Sequence, residues 1–252
     1  MSNQPGFVAL FFLLLFSSGA LAEWNFAPKA QINYRVPPRT YARVEHGDLV
    51  VFVEQQLQNE DPVLAKRALA RLEAKRTEAI GSLPAATQAA LRKIPFYLMY
   101  GPKAAGGGRA NGLRYFPEAS PERNNWEDPN WKNVIVVHSA ENYVRITDFW
   151  ALKALAHELA HAYHLQHWPP NLPELVQAWK NAVNRGLYRN VVDENGKTHE
   201  EAYPRVNALE YFAELSAMTF VGCNYFPHNR AELEAYDPEG ARLVRKLWGL
   251  AN

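Results

Sequence analysis

The chain has 252 residues, of which 48% are hydrophobic and 21% charged, and its formal net charge is +1. This composition is typical of a globular protein and excludes a collagenous or intrinsically disordered chain. The charge is balanced, and no dense run of Lys and Arg occurs, which argues against a nucleic-acid partner. We therefore expect a protein with a full hydrophobic core and no nucleic-acid-binding surface.

Residues 1–22 have the layout of a secretory signal peptide. An apolar run from Phe7 to Phe16 is followed by small residues that end in Ala20-Leu21-Ala22, the pattern of a signal-peptidase site. The run is too short for a transmembrane helix, which needs about 20 apolar residues. We therefore expect cleavage near Ala22, a secreted or periplasmic protein, and no membrane insertion of the mature chain.

The chain up to residue 112 predicts a mixture of strands and helices. Residues 23–60 are expected to form an N-terminal arm and a hairpin, because β-branched and aromatic residues flank the turn His46-Gly47-Asp48. Asp61 and Pro62 suit the start of a long helix that reaches Ile80. Three further segments follow: a short helix at 84–92, a strand at 95–100 and a mobile glycine-rich stretch at 101–112.

The later part of the chain predicts mainly helices. Thr147 or Asp148 can cap a long helix, which Pro169-Pro170 stops. The strand predicted from Asn133 to Val137 precedes this helix, and we expect it to be an edge strand beside the helix. Three more segments have helical spacing: residues 172–185, 205–221 and 237–250.

The mature chain predicts one domain. We find no internal repeat and no linker, so residues 23–252 are expected to form a single α+β domain, mainly helical with a small mixed sheet. The one cysteine, Cys223, cannot form an internal disulfide. The hydrophobic core and any bound metal must therefore stabilise the fold.

The segment His157-Glu158-Leu159-Ala160-His161 points most clearly to chemistry. On a helix, positions four apart lie on one face, so His157 and His161 can hold a cation between their imidazoles. Neutral imidazole suits Zn²⁺, and Glu158 is placed to act as general base for a metal-activated water. The surrounding residues are mostly apolar, and burying these polar groups would be costly without a metal. We expect one Zn²⁺ per chain.

Two residues compete to be the third zinc ligand, since a catalytic zinc usually takes three protein ligands and one water. His167 follows His157 at the metzincin spacing, but that pattern needs glycine where this chain has His164, and a continuous helix would point His167 away from the metal. Glu210 and Glu214 lie on one face of a later helix, in an apolar run where carboxylates need partners. Glu210 as ligand and Glu214 as hydrogen-bond acceptor for a ligand imidazole would satisfy both. The sequence favours Glu210 and leaves His167 open.

The two segments together resemble the zinc-binding region of the lethal-factor family of metallopeptidases, named after the catalytic domain of anthrax toxin lethal factor. The resemblance covers roughly residues 130–225, and around the second segment it rests on Tyr203, Arg205, Asn207, Glu210, Phe212, Ala213 and Glu214. It implies a zincin-like fold in which zinc is bound by His157, His161 and Glu210. It also implies that Glu158 is the general base and that Tyr203 stabilises the oxyanion, which a phenol near zinc can do by hydrogen bonding.

These features predict a secreted zinc metallopeptidase, with endopeptidase activity favoured over exopeptidase activity. Its partners would be peptide or protein substrates, held by main-chain pairing along the edge strand. The alternative is a catalytically silent zincin, in which zinc is structural and the cleft binds a partner protein. Glu158 and Tyr203 favour the enzyme, because a structural site needs neither and is more often closed by four protein ligands.

Overall fold

The computed structural model describes residues 32–118 and 126–250. The protein is a mixed α+β structure, about half helical, with a small mixed sheet, which confirms the predicted fold class at this level. The predicted signal peptide, residues 1–22, and the start of the predicted N-terminal arm lie outside the described residues. Within the described ranges, no helix has both the length and the apolar character needed to cross a membrane.

The described strands are β1 Tyr41–His46, β2 Leu49–Glu54, β3 Phe96–Leu98, β4 Leu113–Phe116, β5 Val134–Val137, β6 Arg189–Val192 and β7 Thr198–Glu201. The first five form one sheet in the order β1-β2-β3-β5-β4. β2, β3 and β5 are parallel, whereas β1 pairs with β2 and β4 pairs with β5 in antiparallel fashion. β6 and β7 form a separate antiparallel hairpin.

The described helices are α1 Gln55–Glu60, α2 Pro62–Ile80, α3 Ala85–Leu91, α4 Ala140–Arg145, α5 Asp148–His167, α6 Pro173–Asn184, α7 Ala208–Phe220, α8 Arg230–Tyr236 and α9 Pro238–Leu247. The predictions of the β1–β2 hairpin and of α2, α3, α5, α6, α7 and α9 are confirmed, with ends that differ by at most three residues. The sequence does not predict α1, α4 and α8, because six or seven residues are too few to show a helical period.

The edge strand beside α5 is β4, and the expectation that residues 133–137 form this edge is wrong. β5 lies inside the sheet, paired with β3 on one side and with β4 on the other. All four β5 residues are buried, and a strand covered on both faces has an unbroken apolar sequence. Such a run identifies a strand but does not show whether the strand lies at an edge.

The glycine-rich stretch 101–112 leads into β4 and is anchored by side chains from the N-terminal part of the chain. Arg39 donates a hydrogen bond to the carbonyl of Gly107 at 2.6 Å, and the main-chain N–H of Arg109 donates to the hydroxyl of Tyr34 at 3.1 Å. Several glycines of the stretch have positive φ, a conformation that glycine adopts at little cost. These contacts hold parts of the stretch against the N-terminal segment, and its predicted mobility stays a prediction.

α5 and α7 pack against each other and place the two sequence motifs side by side. Thr147 caps α5 and Asn207 caps α7, each accepting a main-chain N–H with its side chain. α5 continues without a break through His164 to His167. The sharp turn that a metzincin needs after its second histidine is therefore not present in this helix.

Candidate metal centre

Three side-chain atoms from two helices converge on one point: Nε2 of His157, Nε2 of His161 and Oε2 of Glu210. Each Nε2 lies 3.1 Å from the carboxylate oxygen, and the two Nε2 atoms are 3.0 Å apart. The side chains of His157 and Glu210 are buried, whereas that of His161 is 12% exposed. The histidines lie one turn apart on α5, and Glu210 lies in the first turn of α7. The structure thus brings together the three residues that the sequence favours as ligands.

The spacing of these three atoms fits a zinc ion. Donor atoms 3.0–3.1 Å apart are close enough to bind one ion together at the length of zinc bonds to imidazole nitrogen and carboxylate oxygen, about 2.0–2.2 Å. Two imidazoles and one carboxylate are also a ligand set that catalytic zinc takes, with the fourth position left for water. The residues present therefore suit a metal in both geometry and chemistry.

Opposite charges stabilise the cluster of His157, His161 and Glu210. Burial lowers the pKa of His157, but the carboxylates of Glu210 and Glu214 outweigh this effect and raise that pKa to about 10. Burial raises the pKa of Glu210, but the imidazoles of His161 and His157 outweigh it and hold that pKa well below its usual range. The site thus favours a cation next to Glu210, and a metal would take the place of the imidazole proton.

Glu214 lies one turn after Glu210, fully buried on the far side of the His157 ring. Its Oε1 is 3.0 Å from Nδ1 of His157, an ion-pair distance, although the ring is not aligned for a hydrogen bond. Its Oε2 accepts a hydrogen bond from the hydroxyl of Tyr225 at 2.7 Å and lies 3.2 Å from the ammonium of Lys153. Burial raises the pKa of Glu214, but Lys153 and His157 outweigh it and lower that pKa to about 2. Glu214 therefore lies beside the imidazole of His157, the position that the sequence predicts for it.

Glu158 is only 5% exposed and is not one of the three converging groups. Its Oε2 accepts the main-chain N–H of Tyr115, in β4, at 2.7 Å. Burial raises the pKa of Glu158, and the positive field of His157 and His161 removes only part of that increase. A raised carboxyl pKa suits a general base that works near neutral pH.

Tyr203 begins a short 3₁₀ turn just before α7, and its ring centroid is 5.6 Å from that of His157. Arg205 anchors this turn, because its guanidinium donates to the carbonyl of Leu187 at 2.7 Å and pairs with Glu201. Burial, followed by the nearby carboxylates, raises the pKa of Tyr203 well above its usual value. The phenol therefore keeps its proton and can donate a hydrogen bond.

The competing histidine lies elsewhere. His167 is exposed at the end of α5, and its Nδ1 is 2.7 Å from the carbonyl oxygen of Tyr163 in the same helix. His164 is buried against the ring of Phe212. Neither residue belongs to the group of ligand atoms that converge in the described part of the chain, so the structure does not support the metzincin arrangement.

Sequence reasoning missed Lys153 and Tyr225, whose side chains contact Glu214. Lys153 lies one turn before His157 on the same face of α5, and Tyr225 lies in the loop after α7. A lysine inside an apolar helical run could have been noticed, because a buried ammonium needs a partner. The local sequence of Tyr225 contains no comparable signal.

No family model matches the chain, and no curated protein and no solved structure is detectably similar to it. A mixed α+β fold is compatible with many activities. The function is therefore argued from the geometry and the charges of the site itself.

Proposed function

We propose that the protein is a secreted zinc metallopeptidase with a zincin-like fold, which holds its metal with His157, His161 and Glu210. The observation that carries the proposal is the convergence of three ligand atoms within 3.1 Å of one another, next to the separate buried carboxylate of Glu158. A structural zinc site is usually closed by four protein ligands and needs no adjacent base. Among the described residues, no fourth His, Cys, Asp or Glu joins the cluster.

Each functional side chain has a defined task in peptide hydrolysis. When bound, zinc lowers the pKa of a coordinated water toward about 7 and polarises the substrate carbonyl. Glu158 accepts the proton of the attacking water and passes it to the leaving amine. The N–H of Tyr115 holds one oxygen of Glu158 and thereby fixes the direction of the carboxylate. Tyr203 donates a hydrogen bond to the oxyanion that develops on the substrate carbonyl.

The edge strand β4 is a candidate surface for an extended substrate. In an antiparallel ladder, alternate residues direct their N–H and C=O groups away from the partner strand. The N–H of His138 donates to the carbonyl of Gly112, so Leu113 and Tyr115 are the residues whose main-chain groups point outward. The N–H of Tyr115 already donates to Glu158, so a peptide would pair with the remaining outward groups of this edge and pass beside Glu158. Because such a substrate peptide would extend past the site, this arrangement favours endopeptidase activity.

Zinc content and hydrolysis, measured together, test the proposal. The purified protein should bind about one zinc per chain and cleave members of a random peptide library. Glu158→Gln should keep its zinc, because Glu158 is not one of the converging groups and Gln can still accept the Tyr115 N–H, but it should lose hydrolysis. His157→Ala should lose both.

Three results would contradict the proposal in different ways. A wild-type protein that folds but binds no zinc refutes the metal site itself. Zinc binding without cleavage of any library peptide favours the catalytically silent zincin, whose cleft binds a partner protein. If Glu158→Gln lost zinc as completely as His157→Ala, the division between base and ligand would be wrong.

A further inference from the structure

The two oxygens of the Glu214 carboxylate have different partners. Oε2 accepts the hydroxyl of Tyr225 at 2.7 Å and lies 3.2 Å from the ammonium of Lys153. Oε1 makes no hydrogen bond to a described residue, but it faces Nδ1 of His157 at 3.0 Å, and that ring nitrogen is equally buried and unpaired. Because the contacts to Oε2 fix the carboxylate, they also determine where Oε1 points.

Lys153 is an unusual residue for its position. It lies one turn before His157 on α5 and is only 2% exposed. Its ammonium lies over the rings of Trp150 and Tyr225, at 5.2 and 5.3 Å from their centroids. Burying a lysine is costly unless a carboxylate compensates the charge, and that carboxylate is Glu214. An ion pair that only stabilised the fold would not need to lie next to the imidazole of His157.

With all its carboxylates ionised, the metal centre reaches formal charge balance when Lys153 is included. Three carboxylates are buried here: Glu158, Glu210 and Glu214. A divalent ion offsets two of these negative charges, and the Lys153 ammonium offsets the third. A buried centre with an uncompensated charge is strongly disfavoured, so the lysine matches the formal charge that a divalent metal leaves.

We propose that Lys153 and Tyr225 are positioning residues of the metal centre: they hold Oε2 of Glu214 so that Oε1 stays against Nδ1 of His157 and favours the tautomer with its proton on that nitrogen. With its proton held on Nδ1, the imidazole presents Nε2 to the metal in a fixed orientation. This inference rests on the proposed function, because it requires a metal bound by His157, His161 and Glu210. It adds that residues without any contact to the metal determine how strongly the metal is bound.

Zinc affinity, measured by competition with a chromophoric chelator, tests the inference without a substrate. The variants are Tyr225→Phe, which removes one hydroxyl and keeps the ring, Lys153→Met, and each of these combined with Glu214→Gln. Loss of an outer contact of this kind typically weakens metal binding about 10–100-fold, and we expect that loss from each single variant. In the Glu214→Gln background, either change should add less than about two-fold, because its effect passes through Glu214. The visible absorption of the cobalt-substituted protein should shift in the single variants.

A matched control separates positioning from stability. Glu54→Gln breaks another buried ion pair, between Glu54 and Arg39, whose side chains are 3% and 5% exposed, respectively. This variant should lower the midpoint of urea unfolding but leave zinc affinity unchanged. Tyr225→Phe alone decides the question if Lys153→Met does not fold.

Three outcomes would overturn the inference. The first is that the folded single variants bind zinc as tightly as wild type. The second is that the losses of zinc affinity persist in full in the Glu214→Gln background. Either of these results leaves the proposed function standing, whereas the third, a wild-type protein without zinc affinity, overturns both the inference and the proposed function.

Discussion

Replacement of Glu210 by alanine should remove most of the zinc affinity. Its carboxylate is 4% exposed and lies 3.1 Å from both ligand imidazoles. Changes that leave all ligands in place already cost about 10–100-fold in metal affinity, so loss of a ligand should exceed about 100-fold, or about 2.7 kcal/mol. The cap of α7 should survive, because Asn207 accepts the main-chain N–H of residue 210.

His167→Ala is the matched comparison, since His167 is the competing third ligand. His167 is exposed. The contacts described for its ring are with Tyr163 in α5 and with Trp168, the residue that follows α5. Surface substitutions of this kind stay within about 0.5 kcal/mol, which corresponds to about two-fold in a binding constant. The zinc affinity of His167→Ala should therefore equal that of wild type within a few-fold.

Competition with a chelator measures both zinc affinities. Breaking a buried ion pair costs about 3–5 kcal/mol, so the free energy of unfolding of metal-free Glu210→Ala should be measured in parallel to confirm that the variant is folded. If His167→Ala lost zinc while Glu210→Ala kept it, the metzincin arrangement would be correct and the geometry of α5 would be misleading.

Two further predictions concern the phenol and the pH. Tyr203→Phe should lower kcat by about 10²–10³ and leave zinc affinity unchanged; a kcat near that of wild type would exclude an oxyanion role. In the metal-free protein, burial disfavours charged His157, but Glu210 and Glu214 raise its pKa from 6.5 to about 10. The charged imidazole therefore stabilises the fold fully below the ordinary pKa and progressively less as the pH rises, so the free energy of urea unfolding in EDTA should fall from pH 6.5 to 10. Zinc affinity should rise over the same range, because the metal displaces that proton, and a flat stability profile in EDTA would contradict the charge assignment.

The helices that carry the site could be predicted because their signals are local. α5 has a Thr147 cap and a Pro169-Pro170 stop, and 20 residues show a period that 6 residues cannot show. The pairing of His157 with His161 follows from the helical repeat alone. The part of the site that lies on one helix is therefore largely readable from the sequence.

The contacts that complete the site could not be predicted, because they join distant parts of the chain. The N–H of Tyr115 reaches Glu158 only because β4 lies at the sheet edge beside α5. That strand, Leu113–Phe116, contains an arginine and follows a glycine-rich stretch, so it lacks the unbroken run of branched apolar residues that marks β5. Strand order depends on tertiary pairing, and a fully apolar run such as β5 looks the same at an edge or in the centre.

At the start of α7, a residue pattern that usually caps a helix contributes a side chain to the candidate metal site instead. Asn207 is the cap and Glu210 is the third helical residue, a spacing at which a glutamate ordinarily reaches back to the N–H of the cap. Here the Glu210 carboxylate lies 3.1 Å from His157 and His161 instead, so its side chain serves the cluster. The helix N-terminus favours a negative charge on Glu210, in the same direction as the imidazoles of His161 and His157, which hold its pKa well below the usual range. A local preference that is redirected in this way is expected at functional sites, and it agrees with a metal-binding role for Glu210 together with the two histidines.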